Sequence, residues 1–128
     1  MVEHKFNINK PVIALWVRVE SEKTKEDILM ALDTGATYMM LPWEIAEILG
    51  HEPHLSKERI DMTTASGIEK VPLITLKSVN VLGKKAANVP AVVHDLPSRS
   101  CVDGLLGLSF LKHFKICQDF KKGILTID

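Results

Sequence analysis

Residues 28–37 are Ile28-Leu29-Met30-Ala31-Leu32-Asp33-Thr34-Gly35-Ala36-Thr37, an apolar run that ends in an acid and a turn. Five apolar residues in a row predict a strand that is buried on both faces. An ionised carboxylate at the mouth of such a strand must be paired, hydrogen-bonded or protonated, so Asp33 is unfavourable for stability. Gly35 lets the backbone come close and lets its N–H reach a carboxylate oxygen. The turn is therefore suited to holding an acid in a fixed geometry.

The Asp-Thr-Gly tripeptide is weak evidence alone, because average residue usage produces it by chance in roughly 3 of every 100 chains of this length. A second motif strengthens it. Residues 102–107 are Val102-Asp103-Gly104-Leu105-Leu106-Gly107, again an apolar stretch that leads to a tight glycine. A short helix is predicted over 110–114, with Ser109 as its N-cap. Both halves of the chain thus have an apolar strand, a glycine turn and a short helix soon after.

The rest of the chain predicts mainly short strands, with one further helix over 42–49 that Gly50 ends. Residues 21–27 are polar and predict a hairpin turn, and Pro72 indicates an edge or irregular strand. The predicted strands cover residues 12–19, 28–32, 60–64, 68–77, 79–82, 89–94, 116–120 and 124–127. This pattern predicts a small mainly-β barrel or sandwich with two short helices.

The two motifs, in this order and separation, resemble those of the retropepsin-like aspartic proteases, the single-domain relatives of pepsin. The resemblance extends over about residues 10–128, and the C-terminal part from Gly104 to Leu125 is similar to cellular members, including Ddi-type proteases. The resemblance implies a small closed β-barrel-like acid protease fold. It also implies an aspartic endopeptidase.

The implied mechanism needs two carboxylates that share a proton around one water. Since the chain has one Asp-Thr-Gly, the resemblance implies a homodimer in which each subunit contributes Asp33 as its catalytic residue. Thr34, Gly35 and Ala36 would support the active-site loop: Thr34 would interlock with the partner's Thr34, and Gly35 would orient the carboxylate and contact substrate through its carbonyl. No cofactor and no metal are implied.

The resemblance also assigns roles outside this loop. The hairpin over 60–76, with Ala65-Ser66-Gly67 at its tip, would be the flap that closes over an extended peptide. Leu105, Leu106 and Gly107 would support the active-site loop from below, and one of the leucines would line a side-chain pocket.

Two positions depart from the retroviral pattern. Retroviral enzymes commonly have an acid and an arginine, which pair with each other, where this chain has Thr37 and Leu108. Both partners are absent together, so no charge is left alone. The pattern therefore favours cellular members over viral ones.

Other candidate residues have simpler interpretations. Asp103 could be a second catalytic acid in a monomeric enzyme, but a turn residue bonded to nearby backbone N–H groups is favoured. His51 and His54 could hold a metal, but Pro53 prevents a regular helix and no third ligand is evident. Cys101 has no evident base beside it, and it and Cys117 are expected to be reduced thiols.

Composition excludes several classes of protein. The chain has 128 residues, 46% of them apolar, with 16 basic and 16 acidic side chains. A net charge of zero argues against nucleic acid or an anionic membrane surface as partner. No apolar run is long enough for a transmembrane helix or signal peptide, so a cytoplasmic location is expected. Residues 1–128 are expected to form one domain.

A different class of function also fits the sequence. The same fold could serve as a non-catalytic dimerisation or peptide-binding module. An intact Asp33-Thr34-Gly35 argues against this alternative, because a binding module has no need of an acid at a position where it is expected to lower stability.

Overall fold

Ten strands, two short helices and one 3₁₀ turn make up the chain, and the computed structural model describes all of residues 1–128. The strands are β1 (Val2–Lys5), β2 (Ala14–Glu20), β3 (Lys25–Leu32), β4 (Met39–Leu41), β5 (Arg59–Thr64), β6 (Gly67–Val81), β7 (Lys84–Val93), β8 (Gly104–Leu106), β9 (Ile116–Asp119) and β10 (Ile124–Ile127). The helices are α1 (Trp43–Ile48) and α2 (Leu108–Leu111), and the 3₁₀ turn is Pro53–Leu55. Neither helix has the length and apolar character needed to cross a membrane.

Six strands close into a barrel in the order β2-β3-β8-β4-β7-β6. The ring is completed where β6 pairs with β2, from Arg18↔Asn80 to Glu20↔Ser78. Alternate residues of β2 point inward, so Leu15, Val17 and Val19 are buried while the residues between them are exposed. The barrel interior is thus filled by apolar side chains, as the period-2 pattern requires.

One strand of the barrel, β8, lies between β3 and β4. β8 runs parallel to β3, with Leu32 opposite Leu106, and antiparallel to β4, with Met40 opposite Leu105. A Cβ on Gly104 would lie 2.5 Å from the Met40 carbonyl oxygen, and one on Gly107 would lie 2.3 Å from the Tyr38 carbonyl oxygen. Because only glycine permits so close an approach of two backbones, the second motif is required by the barrel itself.

The longest strand, β6, differs from the sequence prediction. Strands were expected over 68–77 and 79–82, but one strand extends from Gly67 to Val81. Its first part pairs with β5, and its pairing with β7 begins at Leu73, opposite Val92. Pro72 lies at this change of partner and Ser78 stays in the ladder, so neither residue interrupts the strand. The hairpin of β5 and β6 therefore projects from the barrel as a flap.

The two ends of the chain form a separate three-stranded sheet in the order β1-β10-β9. The hairpin of β9 and β10 was predicted, whereas β1 was not. The strand β1 has only four residues, which is too short a stretch for the sequence pattern to indicate a strand. Leu125 and Ile127 of β10 are fully buried and pack the sheet against the barrel core.

The second helix begins earlier than predicted, at Leu108 rather than Phe110, and Ser109 is not its N-cap. Gly107 takes the cap position without a side-chain hydrogen bond. The Ser109 hydroxyl instead donates to the Pro90 carbonyl oxygen (2.7 Å) and accepts from the Met39 N–H (2.9 Å). Tertiary contacts with two neighbouring strands thus replace the local cap.

His51 follows Gly50, just beyond the end of α1. Its Nε2 is buried without a hydrogen-bond partner. Burial lowers the pKa of the His51 imidazole from its ordinary value of 6.5. The folded protein therefore holds this side chain neutral at a pH where the unfolded chain protonates it.

Gly107→Ala is expected to destabilise the protein by about 2 kcal/mol or more, because the added methyl meets two backbone carbonyl oxygens that cannot move independently. Urea denaturation measures this change. Gly83→Ala is the matched control: its methyl meets no atom within 4 Å, and only its φ of +82° opposes alanine, at a cost of about 1 kcal/mol. Equal losses for the two variants would contradict the packing argument.

The free energy of unfolding is expected to fall as the pH drops below about 6.5, since the unfolded chain then binds a proton that folded His51 resists. Urea denaturation from pH 8 to pH 5 should show a shallower pH dependence in His51→Leu than in the wild type. Exposed His54 provides the control, and His54→Leu should keep the wild-type slope. Asp27, whose pKa is lowered from 3.8 by its hydrogen bond to Arg18, affects stability only at lower pH.

Candidate active site

Main-chain hydrogen bonds fix Asp33 at the end of β3. Its N–H donates to the Leu106 carbonyl oxygen (3.0 Å), and the preceding Leu32 N–H donates to the Ile13 carbonyl oxygen (2.9 Å). The chain then turns, and the Ala36 N–H donates back to the Asp33 carbonyl oxygen (3.2 Å). The end of β8 on one side and the residue before β2 on the other therefore set the position of the Asp33 backbone.

The carboxylate of Asp33 is oriented within its own turn. The Gly35 N–H donates to Asp33 Oδ1 at 2.9 Å, as the tripeptide predicts. A Cβ on Gly35 would lie 3.2 Å from the same oxygen, so a larger residue would crowd the carboxylate. Oδ2 makes no hydrogen bond within the chain, and the side chain is half-buried. One oxygen is thus held while the other is free for another group.

The second motif supports this turn from the core side. The Leu108 N–H donates to the Ala36 carbonyl oxygen at 2.8 Å, next to the close approach of Gly107. Leu106 is fully buried and reaches Asp33 through its carbonyl, while Leu105 is half-buried. Neither leucine lines the cleft described below. The structure therefore brings Asp33, Gly35 and Ala36 together with Leu106 and Gly107.

A cleft of about 520 Å³ opens between the Asp33 turn and the flap. The barrel side supplies Tyr38, Met40 and Val92, and the flap side supplies residues 60–63. The complete lining is Asp33, Gly35, Ala36, Thr37, Tyr38, Met40, Ile60, Asp61, Met62, Thr63 and Val92. The cleft can hold an apolar group beside a carboxylate, which is an arrangement typical of ligand sites.

The β5–β6 hairpin turns at Ala65-Ser66-Gly67, where the sequence predicted a turn. Ala65 and Ser66 form the turn, and Gly67 has a φ of +126°, which favours glycine. The Thr64 hydroxyl donates to the Gly67 carbonyl oxygen at 2.9 Å and closes the turn. The tip residues are exposed and do not line the cleft, whereas the strand residues behind them do.

Thr34 is exposed and makes no hydrogen bond within the chain. Its predicted role involves a second subunit, and an exposed position is compatible with that role. Thr37 and Leu108 are the two positions that depart from the retroviral pattern. Thr37 is exposed, and the Leu108 N–H donates to the Ala36 carbonyl oxygen.

Sequence reasoning missed three residues of the cleft wall: Tyr38, Met40 and Val92. Met40 lies between buried Met39 and Leu41 in β4, so strict alternation would have placed it on the opposite face from them. That β4 exists at all was not predicted, because three apolar residues after a turn are too few to indicate a strand. The cleft wall was therefore not foreseeable without the fold.

The other candidate residues lie elsewhere. Asp103 is exposed in a different cleft, beside Asp95 and Glu44. Its carboxylate makes no hydrogen bond, so the expected turn bonding to backbone N–H groups is wrong; only its N–H is bonded, to the Leu29 carbonyl oxygen (2.9 Å). No group of three His, Cys, Asp or Glu side chains is placed to hold a metal, at His51 and His54 or elsewhere. Cys101 and Cys117 are free and exposed.

Comparison with known proteins agrees with this geometry. The chain matches, over residues 19–113, a family model described as "gag-polyprotein putative aspartyl protease". It is also similar to the crystal structure of a retropepsin-like aspartic protease from Rickettsia conorii, with a TM-score of 0.74 and 28% sequence identity over 98% of this chain and 88% of that one. No curated protein matches the chain significantly. The mainly-β barrel with two short helices that the strand pattern predicted is confirmed, and so is the resemblance to the retropepsin-like aspartic proteases.

Proposed function

Because the chain belongs to the gag-polyprotein aspartyl protease family, we propose that it is an aspartic endopeptidase that hydrolyses peptide bonds as a homodimer. Residues 1–128 act as one domain in this proposal, and two copies are needed to form one active site. Asp33 of each subunit supplies one carboxylate.

The observation that carries the proposal is a carboxylate with only one of its two oxygens bonded, in a cleft that offers no suitable second acid. The only other carboxylate in the lining belongs to Asp61, which is on the flap and forms an ion pair with Lys70 at 2.8 Å. Asp103 opens into a different cleft. A two-carboxylate mechanism therefore requires Asp33 of a second copy, across a two-fold axis.

The chemistry follows from two carboxylates that share one proton. The ionised carboxylate takes a proton from a water molecule, whose oxygen attacks the scissile carbonyl carbon, while the protonated carboxyl donates to the carbonyl oxygen. The tetrahedral intermediate then breaks its C–N bond, and the leaving nitrogen receives a proton from the pair. The Gly35 N–H holds Oδ1 at 2.9 Å, which keeps each carboxylate oriented in every step.

The flap and the cleft give the peptide its place. An extended peptide under the flap would lie between the Asp33 turn and residues 60–63, partly by strand addition. Flap closure excludes bulk water from the reacting bond. Since Met40, Ile60, Met62 and Val92 supply most of the apolar wall, the peptide is expected to place an apolar side chain in this cleft.

The homodimer would use surfaces that the single chain leaves open. Thr34 is exposed beside Asp33, where the partner's Thr34 could interlock with it. β9 and β1 each have one edge that pairs with no strand of the chain. An unpaired edge is a ready template for a strand of a second copy.

Wild-type protein is expected to cleave members of a diverse peptide pool, and Asp33→Asn should lose at least about 10²-fold in rate, because asparagine cannot exchange the shared proton. Mass spectrometry of the products from acidic to neutral pH measures this and identifies the cleaved bonds. Asp103→Asn is the matched control and should retain wild-type activity, since its carboxylate opens into a different cleft.

Mixing the two proteins tests the shared site. If mixed dimers are inactive and subunits exchange freely, a fourfold excess of Asp33→Asn should lower the wild-type rate to about one fifth. Unchanged activity in the mixture, or a strict monomer that cleaves, would overturn the homodimer mechanism. A folded dimer that cleaves nothing would favour the non-catalytic peptide-binding module.

A further inference from the structure

One side-chain contact joins the flap to the barrel. His94 Nε2 lies 3.0 Å from Glu69 Oε2. When the Glu69 carboxylate accepts, His94 Nε2 carries the proton and donates in this contact. The two residues are 25 positions apart in the chain, so the contact fixes the flap relative to the barrel and not to its own hairpin.

Glu69 lies on the side of the flap that faces the cleft. In the pairing of β5 with β6, Glu69 is directly opposite Met62. Residues directly opposite each other in an antiparallel pair point to the same face, and Met62 lines the cleft. Glu69 therefore extends from the inner face of the flap toward the barrel.

His94 lies on the rim of the barrel beside the same cleft. It directly follows β7, whose residue Val92 lines the cleft. The His94 N–H donates to the Leu41 carbonyl oxygen at 2.9 Å, so its backbone is fixed to the end of β4. The imidazole thus projects from a rigid position.

No other side-chain hydrogen bond or ion pair connects residues 60–70 with the barrel. The Lys70–Asp61 ion pair (2.8 Å) and the Thr64–Gly67 hydrogen bond (2.9 Å) both lie within the flap. Residues 67–72 of β6 pair only with β5. Apart from Arg59 at the base of the flap, which donates to the Pro53 and His54 carbonyl oxygens (3.4 and 3.1 Å), the flap has one polar side-chain contact outside itself, the Glu69–His94 pair.

We propose that Glu69 and His94 are positioning residues that hold the flap closed over the Asp33 cleft. The role for turnover rests on the proposed protease function, whereas the effect on the flap itself does not. When the pair is intact, Ile60 and Met62 stay over the cleft and water is kept out. When it is broken, the flap opens more often and extended peptides are held less well.

Hydrogen–deuterium exchange of residues 60–70 in the full chain tests the tether without any catalysis. Glu69→Ala and His94→Ala should each raise the exchange rate of the flap amides about two- to fivefold, as expected for a partly exposed pair. The double variant should exchange no faster than either single variant, because both changes break the same contact.

Lys70→Ala is the matched control. Lys70 is the neighbour of Glu69 in the same strand, is more exposed, and forms its ion pair within the flap. Its replacement should leave the exchange of the flap unchanged. Equal acceleration by Lys70→Ala and Glu69→Ala, or additive effects of Glu69→Ala and His94→Ala, would overturn the proposal.

Peptide cleavage gives a second readout. Glu69→Ala should raise KM about two- to fivefold with little change in kcat, because the tether contributes to holding the peptide and not to the proton transfers. Glu69→His combined with His94→Glu should restore both KM and the exchange rate by re-forming the pair in reverse. A loss in kcat alone would contradict a positioning role. If no peptide is cleaved, the protease proposal fails while the exchange experiment still decides the tether.

Discussion

The passage of β8 between β3 and β4 is the constraint on which the remaining structure depends. It closes the barrel, and it requires glycine at positions 104 and 107 because carbonyl oxygens of the neighbouring strand and turn occupy the space of a side chain. The same passage brings the Leu106 carbonyl to the Asp33 N–H and the Leu108 N–H to the Ala36 carbonyl. The fold and the candidate site therefore share their hydrogen bonds, and a change that loosens one loosens the other.

The continuity of β6 connects the barrel with the cleft. One strand serves three partners, since it pairs with β5 in the flap and with β7 and β2 in the barrel. The flap is consequently an extension of a barrel strand and not a loop inserted between elements. The hairpin leaves the barrel near Pro72 and Leu73, where the strand changes its partner, so the opening in the proposed mechanism is expected to pivot there. The Glu69–His94 contact lies between this point and the tip of the hairpin. A weak contact at that position can restrain the whole hairpin.

Much of this architecture could be predicted from the sequence because its signals are local. The apolar run before Asp33, the glycine after it and the turn at Ala65-Ser66-Gly67 each have a direct chemical interpretation. The sequence predictions are wrong where tertiary contacts determine the local structure. Ser109 bonds to Met39 and Pro90 rather than capping α2, and β6 continues through Ser78, between the two strands predicted over 68–77 and 79–82. Met40 of β4, Tyr38 just before β4, and Val92 of β7 converge on one cleft, which no local pattern can indicate.

In the proposed homodimer, each chain carries half of the chemical site through its Asp33. A carboxylate placed for stability would be expected to have both oxygens bonded or to lie in open water. Here the backbone is fixed on both sides, one oxygen is held by Gly35, and the other is free. The sequence predicted that Asp33 lowers stability, but its side chain is only half-buried, so the arrangement costs little in one subunit. It becomes unfavourable when two copies associate, since two ionised carboxylates in contact repel each other. Sharing a proton removes that repulsion, and the shared proton is also what water activation requires. In the proposed dimer, stability and catalysis therefore depend on the same proton.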